Sequence, residues 1–251
     1  MEHLTASQTI PLKLRQELAG EVFNHTAYYD SIIADYFNKV NDITQPDKLT
    51  ISYKKVQECR YGENPHQSAA IYGDFIKQFQ LIHGKELSYN NVMDMNAISD
   101  LILEFDEPTV AIVKHTNPCG VASADTNVEA YRKAFATDKV SPFGGIIALN
   151  GEVDIDFANE VHSLFSEVII AKSFTDEALS LLSKKKDRRL VIANYDILRQ
   201  IQLNPKSYSF RSVPNGLLYQ QTDNILFHPQ QMECVTSRKP TEEEHQKMLF
   251  A

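Results

Sequence analysis

The sequence predicts an α/β protein with a largely parallel or mixed sheet, preceded by a helical arm. Three observations predict it. Short β-type runs alternate with helical stretches through the middle of the chain. Thr109–Val113 is a continuous apolar run of the kind buried on both faces of a sheet. Ahead of these, Leu14, Leu18, Val22, Tyr29, Ile33, Tyr36 and Phe37 recur at steps of three and four residues or their multiples, which describes one long amphipathic helix from Leu12 to Val40.

In chain order, the arm ends in the turn-rich linker Asn41–Asp47. This divides the chain into an arm and linker over 1–48 and a main domain over 49–251. Within the latter, helical patterns fall near Met93–Phe105, Asn127–Ala136, Asp156–Phe165 and Asp176–Leu182. Between them lie strands at Thr109–Val113, Gly145–Leu149, Val168–Ala171 and Leu190–Ala193. Further strands are expected at Gly216–Gln221 and Met232–Val235. Thr241-Glu242-Glu243-Glu244 after Pro240 reads as a capping box that opens a last helix. Periodicity leaves open whether that helix is short or continues past Ala251.

Composition limits the functions available. With 251 residues, 43% hydrophobic and 23% charged, the chain has material for one large or two small folded domains. A net charge of −8 argues against a nucleic-acid binder, which needs a basic face. An anionic ligand would have to be held by a few placed cations or backbone N–H groups. Cys59, Cys119 and Cys234 are scattered, as reduced cytosolic thiols are. The start lacks the apolar core of a signal peptide, and no apolar run approaches the roughly 20 residues of a membrane span. A cytosolic protein without membrane partners is expected.

Val113-Lys114-His115-Thr116-Asn117-Pro118-Cys119-Gly120 is the densest chemical stretch. A buried strand delivers Lys114 and His115 just before a Pro/Gly turn, and in α/β sheets ligands bind at the carboxyl ends of strands. Histidine is the natural general base near neutral pH, and an adjacent ammonium favours its neutral form. A surface lysine beside a satisfied core histidine is the alternative. Arg60–Gln67 gathers polar groups in which Arg60 could clamp a phosphate or carboxylate; an ordinary polar loop has the same composition. Gly84–Asn91 suits a ligand loop or plain helix capping. The paired glycines of Ser141–Gly145 allow close approach to a ligand or a tight turn.

Other chemistries fail on spacing. The phosphate loops G-x-x-x-x-G-K-[ST] and G-x-G-x-x-G are absent. The zinc deaminase signature is only grazed: Asn117 stands where its glutamate belongs, and Ala122 where its second cysteine belongs. No metal is expected. Cys119 reads as an inert, buried thiol before it reads as a nucleophile paired with His115. Lys184–Lys186 with Arg188 and Arg189 reads as a solvated helix end favoured by the helix dipole.

RYGENPHQ (60–67), HGKELSYNN (83–91), IVKHTNPCG (112–120), SPFGGIIALN (141–150) and FSEVIIA (165–171) stand in one order. Together with GLLYQQTD (216–223), VTSRKPTEEE (235–244) and the arm, they resemble the formyltransferase portion of a bifunctional purine-biosynthesis family. In that family AICAR formyltransferase is joined to IMP cyclohydrolase, AICAR being aminoimidazole carboxamide ribonucleotide. The resemblance covers nearly the whole chain. It implies a cytidine-deaminase-like mixed sheet flanked by helices, without the zinc.

It also implies transfer of a formyl group from 10-formyltetrahydrofolate to the 5-amino group of AICAR, in a homodimer. By resemblance, His115 takes the amine proton and Lys114 positions and stabilises charge beside it. Arg60 and Tyr61 contact the substrate phosphate and ring; Asn91, Gly144 and Glu167 hold ribose or carboxamide; Phe143 lines the folate side. The family's cyclohydrolase domain precedes the arm, and a second half of the formyltransferase follows Phe250-Ala251. The expectation is that this chain needs a complementing second half for the full reaction. A non-catalytic nucleotide-binding and dimerisation module is the alternative from another class, and a zinc deaminase a third.

Overall fold

A computed structural model describes residues 10–224 and 232–250. The chain divides into two compact units, one through Gln200 and one from Ile201; the expected boundary at residue 48 falls inside the first. In chain order the first unit contains α1 (Leu12–Val40), β1 (Lys55–Cys59), β2 (Ala69–Tyr72), α2 (Phe75–Gln78), β3 (Phe79–His83), α3 (Tyr89–Ile102), β4 (Thr109–Lys114) and β5 (Asn117–Ser123). It continues with α4 (Asn127–Thr137), β6 (Ile146–Leu149), β7 (Glu152–Val153), α5 (Ile155–His162), β8 (Val168–Ala171), β9 (Ser173–Phe174), α6 (Asp176–Leu182), β10 (Arg189–Ala193) and the start of α7 (Tyr195–Gln202).

Six strands form one mixed sheet in the order β3-β10-β8-β6-β4-β5. β6, β8 and β10 run parallel, and β4 lies antiparallel to both β6 and β5. This is the α/β fold with flanking helices that the alternation predicts. The reason lies in side-chain alternation across the sheet. Val110, Ile112, Ile147, Leu149 and Ile169 join a core with Tyr131 and Ala134 of α4, Phe157 and Val161 of α5, and Ala178 and Leu182 of α6. Their neighbours Ala111, Val113, Ile146, Ala148, Val168 and Ile170 turn the other way, onto Met95, Ile98 and Ile102 of α3. A strand covered on both faces has no solvent side to advertise, hence the unbroken apolar runs of β4, β6 and β8.

Helix starts are set by capping. Ser88 opens α3 through a capping box with Asn91, so the helix begins at Tyr89, four residues before the expected start at Met93, and Gly84–Asn91 includes a cap. Thr126, Asp154 and Thr175 accept backbone N–H groups at the starts of α4, α5 and α6. α1 spans the residues that periodicity predicts but buries none of them: Val22 is 57% exposed, Tyr36 61% and Phe37 55%. Residues 1–9 of the expected arm lie outside the described ones.

β5 corrects the expected Pro/Gly turn after His115. Pro118, Cys119 and Gly120 are strand residues at a sheet edge, where proline is tolerated. Gly120 lies against α4, and a Cβ there would collide with the Ala134 carbonyl and the Thr137 hydroxyl.

The unit from Ile201 holds a hairpin of β11 (Tyr208–Val213) and β12 (Gly216–Gln221), closed by Pro214 and by Asn215 at φ 58°. Its second helix, α8 (Glu242–Phe250), starts as expected, with the Glu244 N–H on Thr241 Oγ1 and the Thr241 N–H on Glu244 Oε2. The strand expected at Met232–Val235 is absent. The segment is irregular and exposed, and Cys234 Sγ and Thr236 Oγ1 turn onto the Arg238 carbonyl instead.

Replacing Gly120 by alanine forces backbone apart between β5 and α4. A loss of about 1–3 kcal/mol is expected from overpacking of this kind, read as a lower urea midpoint at unchanged slope.

Candidate active site

β4 and β5 are joined by a two-residue turn. Lys114 pairs with Asn117, and the residues between them, His115 and Thr116, hold φ at 53° and 62°. Positive φ at both positions is the type I′ arrangement, which glycine and asparagine usually supply. Histidine enters that region rarely, and β-branched threonine more rarely still. Strain of about 1–3 kcal/mol per residue is the usual cost, so other contacts must hold the turn. The Thr116 N–H donates to Asp94 Oδ1 of α3 at 2.7 Å; Thr116 Oγ1 and Asn117 Nδ2 both donate to the His115 carbonyl, at 2.7 and 2.8 Å. The result is an exposed imidazole on a constrained tip.

Lys114, the last residue of β4, sends Nζ to the Phe143 carbonyl at 2.9 Å. That oxygen belongs to the loop entering β6. Gly144 follows at φ 76° and donates its N–H to the Phe165 carbonyl at 2.7 Å. The Phe143 ring is 62% exposed and lies 5.1 Å from the Phe165 ring, tilted by 41°. Gly145 sits so tightly that an added Cβ would lie 2.8 Å from the Val113 carbonyl.

Glu167 stands at the entrance to β8. Its N–H donates to the Gly145 carbonyl, and its own carbonyl accepts the Arg189 N–H, both at 2.9 Å. Its carboxylate accepts from Asn91 Nδ2 at 2.9 Å and lies 4.0 Å from Arg189 Nη1. Asn91 is 3% exposed, and its Oδ1 accepts the Ser88 N–H, so this amide is largely committed inside the protein. Burial depresses the guanidinium of Arg189, whose side chain is 13% exposed; Glu167 opposes that, and the nearby Arg60 charge adds to it. Arg60 itself is exposed, lying over the Tyr61 ring at 4.8 Å with Nη2 on the Tyr61 hydroxyl at 3.1 Å.

Lys114, His115, Asn91, Phe143, Gly144 and Glu167 are therefore joined through short contacts at one end of the central sheet, with Arg60 and Tyr61 near Arg189. The end is mixed in polarity, which corrects the carboxyl-end expectation. β4 contributes its carboxyl end, whereas β6, β8 and β10 contribute their amino ends.

Two members lie outside the set predicted from sequence. Asp94 is three residues beyond Asn91, hence on the same face of α3, and that spacing was the available signal. Arg189 opens β10 and was hidden in a run read as solvated. Lys184 and Lys186 are exposed as expected, but Arg188 is 2% exposed. Its Nη2 donates to the carbonyl of Leu164 at 2.5 Å and to those of Val161 and His162 at 3.5 Å. It thus closes the C-terminus of the neighbouring helix α5, whose last carbonyls lack partners within that helix. Among the described residues no three His, Cys, Asp or Glu side chains come together as a metal site requires.

The sequence profile described as "AICARFT/IMPCHase bienzyme" matches residues 1–251. A protein of Ruminiclostridium cellulolyticum named "Bifunctional purine biosynthesis protein PurH" is 42% identical over 260 residues, covering 100% of this chain and 50% of the relative. Proteins of the same name from Acetivibrio thermocellus and Chloroflexus aurantiacus are 44% and 48% identical, over 100% and 96% of this chain and 50% and 46% of theirs. The chain spans about half the length of the curated relatives it matches.

Cys119 bears on the nucleophile alternative. Burial pushes its thiol above the ordinary range, the Asp138 charge adds to this, and Lys114 offsets part of it. A raised pKa leaves less thiolate at neutral pH. Peptide mass spectrometry after iodoacetamide treatment at pH 7.5 should show Cys119 alkylated more slowly than glutathione, the gap closing as pH rises. Faster alkylation than glutathione would restore it as a nucleophile.

Proposed function

Because the chain belongs to the AICARFT/IMPCHase bienzyme family, we propose that it carries the base-bearing part of a formyltransferase site. The reaction is transfer of a formyl group from 10-formyltetrahydrofolate to the 5-amino group of AICAR in purine biosynthesis. The observation that carries this reading is the convergence of Lys114–His115, Phe143–Gly144 and Asn91–Glu167 at one sheet end. These segments are far apart in sequence, and the fold brings a base, an ammonium, a carboxylate and an exposed aromatic ring together.

The amine of the substrate is a weak nucleophile, because its lone pair is delocalised into the imidazole ring, so a placed base matters. In the proposed step the amine nitrogen forms a bond to the formyl carbon and His115 takes the amine proton. The bond from that carbon to N10 breaks, and N10 ends protonated. Lys114 holds charge beside the reacting centre. Arg60, stacked on Tyr61, suits a phosphate. Glu167, oriented by Asn91 and Arg189, suits ribose hydroxyls or an amide N–H. Asn91 thus acts through Glu167. The exposed Phe143–Phe165 pair offers a face for a flat heteroaromatic ring on the folate side.

His115, Arg60 and Phe143 are all exposed, whereas transfer chemistry benefits from excluding water. The site is read as one that a further protein surface closes, supplied by a complementing second half or by a second copy. The uncovered apolar residues of α1 supply a surface for pairing in a homodimer. The arm over 1–48 then serves assembly and the body over 49–251 the chemistry. A cytoplasmic setting goes with the substrates; no described helix is long and apolar enough to cross a membrane.

Tetrahydrofolate release is followed by absorbance with the chain alone and with the remaining formyltransferase segment of a relative added. Activity is expected only in the second case. There His115→Ala should lower turnover by about 10² to 10⁴ with little change in KM, and Lys114→Ala should be comparably damaging. More than half the wild-type rate in the His115 variant would sink the reading. Tight AICAR binding with no turnover in any combination would favour the non-catalytic module.

A further inference from the structure

The turn carrying His115 is anchored from outside its hairpin. Strand pairing fixes its ends, Lys114 and Asn117, and the Thr116 hydroxyl and Asn117 amide give it local bonds. The anchor from another element is Asp94, whose Oδ1 takes the Thr116 N–H at 2.7 Å. The His115 N–H acts on the same carboxyl more weakly. Asp94 rides on a helix that is itself fixed, by the Ser88–Asn91 capping box and by fully buried Met95 and Ile98.

The groups facing Asp94 are the Thr116 N–H, the His115 imidazole and Glu167. Burial raises the Asp94 carboxyl above the usual aspartate range; the Thr116 N–H and then the His115 charge pull it down, and the Glu167 charge pushes it up. A half-buried carboxylate beside a histidine, bonded to the backbone that carries that histidine, is poorly explained as surface charge.

We propose that Asp94 is a positioning residue: presented by α3, it holds the His115–Thr116 turn in its left-handed conformation and so sets where the imidazole stands. Its consequence for turnover rests on the reading of His115 as the base. Its geometric role does not. An acceptor is what the turn needs, so asparagine can substitute and alanine cannot. A glycine at 116 adopts positive φ freely and removes much of the need.

The test is NMR on the 251-residue chain labelled with ¹⁵N and with ¹³Cε1-histidine, the His115 signal being identified by its loss in His115→Gln. In the wild type the Thr116 amide should titrate with a carboxyl whose midpoint lies above that of an ordinary aspartate, and Asp94→Asn should abolish that titration while moving the His115 signal far less than Asp94→Ala does. Asp94→Ala should raise Thr116 amide exchange at least about tenfold and move the His115 signal. Asp94→Ala combined with Thr116→Gly should bring the His115 signal back.

A Thr116 amide blind to any carboxyl overturns the proposal, using only the wild type and an isosteric variant, even if the alanine variant fails to fold. So does an asparagine variant displaced as far as the alanine one. None of these readouts needs turnover, so a failure of the formyl-transfer reading shows in the His115→Ala assay and not here.

Discussion

The site depends on the continuation of a parallel ladder past the ends of its strands. The backbone of Glu167 bonds to Gly145 on one side and to Arg189 on the other, adding one more rung beyond the pairs Ile146–Val168 and Val168–Arg189. Backbone groups buried at the end of a sheet must find partners, and this rung satisfies them without further strand. It fixes the loop before β6, the glutamate before β8 and the arginine of β10 relative to one another. Asn91 then ties the rung to α3, and α3 reaches the β4–β5 turn through Asp94. One set of hydrogen bonds therefore carries alignment from the parallel strands to the tip of an antiparallel hairpin.

That arrangement reconciles rigidity with exposure. His115 and Phe143 face outward, yet neither sits on a free loop. His115 stands on a two-residue turn with a sterically restricted backbone, and the Phe143 carbonyl is held by Lys114. Sites held by rigid elements keep their geometry while their reactive faces stay open to a partner surface.

The sequence revealed what physics makes periodic. β4, β6 and β8 were legible because both of their faces are covered, and α1 because its apolar positions follow the helical period. β5 was not, because Pro118 and Gly120 read as turn residues. At a sheet edge the proline needs no ladder partner, and Gly120 is required for close packing on α4. The two arginines were hidden for a related reason. Charge in a run suggests solvent, and only the fold shows that Arg188 closes α5 and Arg189 enters the site. The candidate residues themselves came largely from ordered motifs and family resemblance. Composition placed none of them, and Asp94 was missed because an aspartate in a polar helix face looks ordinary.

The polarity of the central sheet also decides the sign of the field at this end. Helices that follow parallel strands run back against them, so α5 and α6 end, rather than begin, near the amino ends of β8 and β10. α4 likewise ends beside Cys119, where the Thr137 hydroxyl bonds its carbonyl. Helix C-termini carry roughly half a negative charge each, whereas α3 points its positive end here. Among the described elements of the first unit, the attraction for an anion approaching this face therefore comes mainly from side-chain cations. Arg188 and Lys185 are spent on the carbonyls at the end of α5, and Lys114 and Arg189 are bonded to the Phe143 and Glu86 carbonyls, whereas Arg60 is exposed. Attraction exerted across solvent by an exposed cation such as Arg60 is screened within about 10 Å at moderate ionic strength, so an anion drawn to this face by charge would feel added salt more strongly than one seated in a phosphate loop.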